Sequence, residues 1–271
     1  PDGFLKIQIL QNNIYGVDLD QQAVELARLN LLLNTFDAQT KLPNLGGNIK
    51  NGNSLISGTD EELEKFFGKN YRDKKPFNWQ EEFPEVFKQG GFDCVIGNPP
   101  YVNLANIKDK EEREFLRSNY KTAKNKSDLY SFMTERAVSL LRTQGRLGYI
   151  FSNSWLGTDS FSEFRKFLVE NTVIESLVKL PPDVFAQAAV TTVLIFLQKE
   201  TAKENYQIPL FQYVNGNFQP LGNRLSYERI KTNPGHSFSF DEETSFKVKT
   251  VPLEKIAKFS LGVKTSNDGM F

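Results

Sequence analysis

Residues 92–101, with the sequence FDCVIGNPPY, carry the groups best suited to chemistry. The apolar run at 94–96 predicts a short buried strand, and Gly97 with Pro99 and Pro100 ends it because proline cannot donate a ladder hydrogen bond. A stiff loop with one amide, exposed carbonyls and an aromatic ring follows the strand. Since ligands of open α/β sheets bind beyond the carboxyl ends of strands, this loop is a candidate site.

The loop suits chemistry on a planar amino group. The exocyclic amino nitrogen of a nucleobase is a poor nucleophile because its lone pair is delocalised into the ring. Two acceptors that hold its two N–H bonds draw the nitrogen towards a tetrahedral shape and localise that lone pair. We expect the Asn98 side-chain oxygen and the Pro99 carbonyl to be these acceptors, with Tyr101 stacking on the base. No general base is required, since the nitrogen can lose its proton after it has attacked.

The motif Asn98-Pro99-Pro100-Tyr101 after a strand resembles that of amino-methylating methyltransferases, which use S-adenosylmethionine (AdoMet). Its context is similar to the N6-adenine DNA methyltransferases of the TaqI-like class, and most similar to the methylase part of type IIG restriction–modification enzymes. The resemblance covers most of residues 13–271. The context consists of Phe77-Asn78-Trp79-Gln80, Phe83-Pro84-Glu85-Val86-Phe87 and Gly90-Gly91-Phe92-Asp93.

This resemblance implies a set of roles and partners. Asn98, Pro99, Pro100 and Tyr101 are then catalytic, and Tyr101 with Phe185 stacks on an adenine flipped out of double-stranded DNA. Phe185 is the candidate because it follows a double proline, just before the most apolar strand. The resemblance also implies a prokaryotic cytoplasmic enzyme whose full-length parent can carry a nuclease domain, although no nuclease motif is readable in this sequence.

The resemblance implies AdoMet as cofactor and places its binding residues at two strand ends. Asp18 would bind the ribose hydroxyls with Leu19 beside it, while Asn53 and Ser54 would contact the adenine ring. Asp18 could instead cap the following helix, but Asp20 is better placed for that. The family most often has Asp where this chain has Asn53, which predicts weaker cofactor binding.

One part of the family pattern is not found. The resemblance requires a glycine-rich turn after a first strand upstream of Asp18, where backbone amides approach the cofactor. In residues 1–13 the only glycine is Gly3, so no glycine-rich turn can be recognised there. We therefore expect a fold truncated at its N-terminus and poor AdoMet binding by the 271 residues alone.

Composition sets broad limits. Charged residues are 24% and hydrophobic residues 39% of the chain, as in soluble globular proteins. A net charge of +0 provides no basic field, which is mild evidence against a complete DNA-binding protein. The single cysteine, Cys94, excludes an internal disulfide, and the single histidine, His236, argues against a histidine-built metal site. We expect no metal and no membrane span.

Alternating strands and helices predict an α/β fold with a doubly wound, mainly parallel sheet, which the resemblance specifies as the Rossmann-like AdoMet-dependent type. Residues 1–200 would form the methyltransferase domain, and 201–271 an extension into a truncated target-recognition region. Residues 103–126 read as a charged loop or solvated face, and 220–243 as turn-rich. The predicted strands are 13–17, 49–53, 92–97, 146–152, 173–180, 188–197 and 206–214; the predicted helices are 21–34, 127–141 (capped by Ser127) and 160–170.

Several other functions stay open. A protein glutamine methyltransferase or an rRNA adenine methyltransferase would also use this motif, and an inactive remnant of a restriction–modification methylase would retain it. A nicotinamide-dependent dehydrogenase explains Asp18 but gives residues 98–101 no purpose. A cytosine-C5 methyltransferase needs a Pro-Cys nucleophile, and Cys94 has no proline before it.

Overall fold

The computed structural model describes residues 3–35, 43–123, 127–182, 184, 191–240, 251 and 255–257. The chain divides into two compact units, Pro1–Phe240 and Asp241–Phe271, and every element below belongs to the first. The strands are β1 (Gly16–Asp18), β2 (Ile49–Asn51), β3 (Phe92–Gly97), β4 (Leu141–Ser152), β5 (Val173–Lys179), β6 (Thr192–Gln198), β7 (Gln207–Val214) and β8 (Asn217–Ser226). The α-helices are α1 (Gly3–Asn13), α2 (Gln21–Thr35), α3 (Asp60–Phe67), α4 (Trp79–Glu82), α5 (Pro84–Lys88), α6 (Lys110–Asn119), α7 (Leu129–Leu140), α8 (Ser162–Asn171) and α9 (Tyr227–Thr232).

The strands form two sheets. In the smaller sheet β1 pairs with β2 in parallel, with Asp18 opposite Asn51. The larger sheet has the order β3-β4-β6-β5-β7-β8, in which β3 is parallel to β4 and β5 is parallel to β7. β6 runs antiparallel to both of its neighbours, and β8 is antiparallel to β7. The predicted α/β class is confirmed, and the larger sheet is mixed.

The position of β3 corrects the expectation of a buried strand. Among the described residues β3 pairs only with β4, so it is an edge strand of the larger sheet. Cys94 is exposed, and Ile96 is 82% exposed. An apolar run predicts a buried strand, but hydrophobic periodicity and composition do not show whether a second strand covers its edge.

The main core lies around the larger sheet, α7 and α8. Tyr130 is fully buried and stacks on Phe151 and Phe161, with ring centroids 4.8 Å and 5.5 Å away. Two smaller clusters surround the turn after β2, where Leu55 packs near Leu116 and Phe132, and Ile56 near Phe115. No helix in the described ranges has the length and apolar character needed to cross a bilayer.

The segment 103–126, expected to be a loop or solvated face, instead contains α6. Asp109 caps this helix by accepting a hydrogen bond from the Glu112 N–H. Phe115 and Leu116 are buried against the turn after β2. The loop interpretation was wrong, whereas most of α6 does face solvent. The two apolar residues of this helix give little periodicity, and their partners lie far away in the sequence.

Other boundaries also differ. Helix α7 begins at Leu129 with Asp128, not Ser127, at its N-cap position, and the Ser127 hydroxyl donates to the Thr122 carbonyl instead. Strand β4 begins at Leu141, five residues before the predicted start. The supposedly turn-rich segment 220–243 contains most of β8 and all of α9. Its helix is held by Tyr227, whose buried hydroxyl bonds to carbonyls at the end of α8.

The exposure of Ile96 yields a stability prediction for the 271-residue chain. Ile96→Ala should change the free energy of unfolding by less than about 0.5 kcal/mol, because its side chain already contacts solvent. Ile195→Ala, the control at a fully buried site in β6, should cost about 2–5 kcal/mol. Urea unfolding measures both, and an equally large loss at Ile96 would contradict an exposed edge.

Candidate functional site

The loop at 98–101 leaves β3 at its carboxyl end, beside the carboxyl end of the parallel strand β4. Asn98 and Pro100 are exposed, Pro99 is buried, and Tyr101 is half-buried. Asn98 is exposed as a residue, and its amide has no hydrogen-bond partner among the described residues. A rigid loop with a free amide therefore stands at the edge where α/β sheets bind ligands.

Glycine at position 97 allows the loop to start close to β4. A Cβ atom there would lie 3.0 Å from the ring of Tyr149, which is tighter than ordinary van der Waals contact. Tyr149 is buried, and burial raises the pKa of its hydroxyl. Because the Tyr149 ring is packed inside the core, it has little room to yield to a larger residue at position 97.

Tyr101 presents an aromatic ring with a constrained hydroxyl. The ring lies edge-on to Tyr130, with centroids 6.4 Å apart. The hydroxyl is buried and has no partner among the described residues, and burial raises the pKa of Tyr101. Its hydroxyl therefore stays protonated over a wider pH range than that of an exposed tyrosine.

Asp18 ends β1 and is exposed. One of its carboxylate oxygens accepts the Asp20 N–H at 2.8 Å, while its main-chain carbonyl accepts the Gly52 N–H at 2.9 Å. The cap of α2 comes from Asp20, which accepts the Gln22 N–H at 2.8 Å as predicted. Asp18 is thus not needed as a cap and has acceptor capacity left for a ligand.

Asn53, in the turn after β2, is nearly buried, and both ends of its amide are engaged. Its oxygen accepts the Leu55 N–H at 3.1 Å, and its nitrogen approaches the Glu112 carboxylate at 3.4 Å. Ser54 is half-buried, and Leu19 after β1 is 53% exposed. Because β1 and β2 are parallel, these predicted cofactor residues share the carboxyl edge of the smaller sheet with Asp18.

The turn after β2 is fixed from α7. The Tyr120 hydroxyl donates to the Leu55 carbonyl at 2.8 Å and lies 3.1 Å from the Arg136 guanidinium, which donates to it. Arg136 also donates to the Ser57 hydroxyl at 2.8 Å. Burial raises the pKa of Tyr120 to about 12, so its hydroxyl keeps the proton that it donates.

The structure therefore places the predicted residues on two strand-end edges. Residues 98–101 follow β3 in the larger sheet, and Asp18, Leu19, Asn53 and Ser54 follow β1 and β2 in the smaller one. The sheets share an aromatic contact at their amino ends, where the rings of Tyr15 and Phe92 are 5.7 Å apart. Phe185 lies outside the described residues.

Sequence reasoning missed three groups that support the site. Asn103 and Asp128 hold the loop after β3, Glu112 touches Asn53, and Arg136 supports the turn after β2. Asn103 lies two positions after the motif at 98–101, whereas no motif or periodic pattern in the sequence marks Asp128, Glu112 or Arg136. Among the described residues, no cluster of three or more histidine, cysteine or acidic side chains is arranged to hold a metal ion.

A family model described as Eco57I restriction-modification methylase matches residues 12–185, which is more than half of the chain. The chain belongs to the Eco57I restriction-modification methylase family. The match includes β1 to β5 and the loop at 98–101. The predicted kinship with restriction–modification methylases is confirmed.

Two relatives illustrate this membership. The type II restriction enzyme and methyltransferase RM.Eco57I of Escherichia coli is 32% identical over 209 residues, which are 72% of this chain and 20% of that protein. The putative type II restriction enzyme and methyltransferase RM.MjaORFECS2P of Methanocaldococcus jannaschii is 30% identical over 168 residues, or 62% of this chain and 13% of that protein. The chain thus spans a fifth or less of the length of either relative.

The fold is similar to part of a DrdV–DNA complex solved by cryo-EM. The similarity has a TM-score of 0.54 at 14% identity and covers 89% of this chain and 26% of that one. At such low identity the match concerns the fold alone. Together with the family match, it confirms the predicted Rossmann-like methyltransferase type of fold.

Two tyrosine hydroxyls in this site make a matched stability test. Tyr120→Phe should lower the free energy of unfolding by about 1–3 kcal/mol, because the Leu55 carbonyl and Arg136 each lose a partner. Tyr101→Phe should be neutral or slightly stabilising, since its buried hydroxyl has no partner among the described residues. Urea unfolding compares the two variants, and equal effects would contradict the different pairing of the two hydroxyls.

Proposed function

We propose that this chain transfers a methyl group from AdoMet to the N6 amino group of adenine in double-stranded DNA, as the modification activity of a restriction–modification system. The observation that carries the proposal is the exposed Asn98 amide beside the Pro99 carbonyl, at the carboxyl end of β3. Family membership supports the reaction class, because the relatives bear the names of restriction enzymes and methyltransferases.

The loop at 98–101 would hold the substrate. The Asn98 oxygen and the Pro99 carbonyl accept the two N–H bonds of the adenine amino group, and the double proline keeps them in position. Tyr101 stacks on the flipped base, and we assign Phe185 as the opposite wall. No side chain needs to act as a base, since the nitrogen becomes acidic once it is methylated.

The cofactor residues fit AdoMet in part, and this group supplies a methyl carried on a sulfonium sulfur. Asp18 has acceptor capacity for the ribose hydroxyls, and Leu19 and Ser54 would flank the adenine ring. Asn53 already uses its amide oxygen for the Leu55 N–H. It therefore offers a neutral and partly occupied acceptor to the cofactor amino group, which supports weak binding.

We further propose a prokaryotic cytoplasmic setting, because the DNA substrate is there. The methyltransferase domain would extend over 1–200, and residues 201–271 would lead into a target-recognition region. A longer parent protein can carry a nuclease domain, as the restriction enzymes among the relatives suggest by their names and lengths.

The reaction is tested with labelled AdoMet and duplex DNA, followed by identification of the methylated base in the full protein that carries this sequence. We expect label on adenine N6, and Asn98→Ala should lower kcat by more than about 100-fold because one of two acceptors is lost. Asn217→Ala, at an exposed asparagine of β8, is the control and should leave kcat unchanged. Label on cytosine, or transfer only to protein or RNA, would overturn the substrate assignment.

We infer, in addition, that a further parallel strand completes the cofactor half between β1 and β3. Among the described strands none pairs with the outer edge of either one, and the Tyr15–Phe92 contact keeps those edges side by side. α1 lies directly before β1, where the helix of a β-α-β crossover would lie. Such a strand would cover Ile96 and bring the missing glycine-rich turn to the carboxyl edge.

Calorimetric titration with AdoMet tests this inference. The 271-residue chain should bind far more weakly than a version extended at its N-terminus by the strand and glycine-rich turn of a family member. The physical reason is that backbone amides of such a turn approach the methionine part of the cofactor. Micromolar affinity of the 271 residues alone would overturn the inference.

A further inference from the structure

The loop after β3 is held by the start of α7 along a short antiparallel ladder, in which residues 101–104 face residues 130–127. The Tyr101 and Tyr130 rings form the first rung. The Leu129 N–H donates to the Val102 carbonyl at 2.8 Å, the Asn103 amide donates to the Asp128 carboxylate at 2.9 Å, and the Leu104 N–H donates to the Ser127 carbonyl at 2.9 Å.

The hydrogen bond between Asn103 and Asp128 joins two side chains, whereas the Leu129 and Leu104 bonds join backbone groups. Asp128 occupies the N-cap position of α7, yet its carboxylate accepts no hydrogen bond from that helix. It accepts the Asn103 amide instead. The Asn103 oxygen accepts the Ala105 N–H at 3.0 Å, and this orients the amide so that its nitrogen faces Asp128.

The carboxylate is anchored to the core of the molecule. Two residues beyond Asp128, Tyr130 is fully buried in the stack with Phe151 and Phe161. Asp128 is half-buried, and burial raises its pKa while the Asn103 hydrogen bond lowers it. Because water has limited access, solvent does not readily replace the Asn103 amide as the partner of this group.

We infer that Asn103 and Asp128 form a positioning pair that fixes the loop at 98–101 relative to the sheet. Neither residue touches the base; they set the place of the Asn98 oxygen and the Pro99 carbonyl through the stiff double proline. The inference rests on the proposed methylation, because its consequence is the geometry in which an amino group is held.

Exchanging the two side chains tests the pair in the full protein. Asn103→Asp sets two carboxylates against each other and should lower kcat for DNA methylation by about 10- to 100-fold, with KM for DNA changed by less than about threefold. Asp128→Asn keeps an acceptor oxygen and should have a smaller effect. The double variant should recover most of kcat, because the new carboxylate accepts a hydrogen bond from the new amide.

Asp93→Asn is the matched control. Its carboxylate is 82% exposed, lies on β3 and pairs with Arg142, so its loss should leave kcat unchanged. If Asn103→Asp retains wild-type kcat, or if the double variant is no better than Asn103→Asp, the pair does not position the loop. A uniform loss in all variants including the control would also contradict it.

Amide hydrogen exchange separates this inference from the proposed function. The Leu104 N–H should exchange faster in Asn103→Asp and return towards the wild-type rate in the double variant, because it is the next rung of the ladder. If the wild-type protein methylates no DNA, the proposed function fails, and the exchange rates still decide the pair. Unchanged Leu104 exchange in Asn103→Asp overturns the pair even where methylation is confirmed.

Discussion

Two successive prolines stiffen the loop at 98–101 internally, but neither has an N–H that could bond the loop to the rest of the fold. The loop at 98–101 also follows an edge strand, because β3 pairs only with β4 among the described residues. On its other side the loop therefore has no neighbouring described strand to support it. The start of α7 provides that support through the ladder with residues 101–104. The place of the Asn98 amide therefore depends on how firmly α7 is packed, and the stack around Tyr130 packs it against the core.

The same helix supports the other half of the candidate site. Near its carboxyl end Arg136 reaches the Tyr120 hydroxyl and Ser57, and Tyr120 holds the Leu55 carbonyl in the turn after β2. Asp128 at the start of α7 and Arg136 are eight positions apart, which corresponds to about 12 Å along a helix and sets the separation between the two supports. The loop at 98–101 and the turn after β2 thus share one rigid element, although they follow strands of different sheets.

Among the described strands, β1 and β3 each have one unpaired edge, which is unusual inside an α/β domain. An apolar edge strand with Ile96 in solvent is a surface that normally pairs with another strand. The family match begins at residue 12, and the relatives are several times longer than this chain. On the proposal that a further strand lies between β1 and β3, the same strand would both pair with these edges and bring the glycine-rich turn to the cofactor residues.

The sequence by itself determined the order of the predicted strands and of the helices at 21–34, 127–141 and 160–170, the loop at 98–101 and Asp20 as the cap of α2, because periodicity, turn residues and caps act over a few neighbouring positions. Phe185 and most of residues 241–271 lie outside the described residues, so their predicted roles stay predictions. Only the tertiary structure decided that β3 is an edge, that α6 is a helix and that Asp128 serves Asn103 rather than its own helix. Each of these depends on partners distant in the chain, as with Tyr120 and Leu55, which are 65 positions apart, and local pattern carries no information about such contacts.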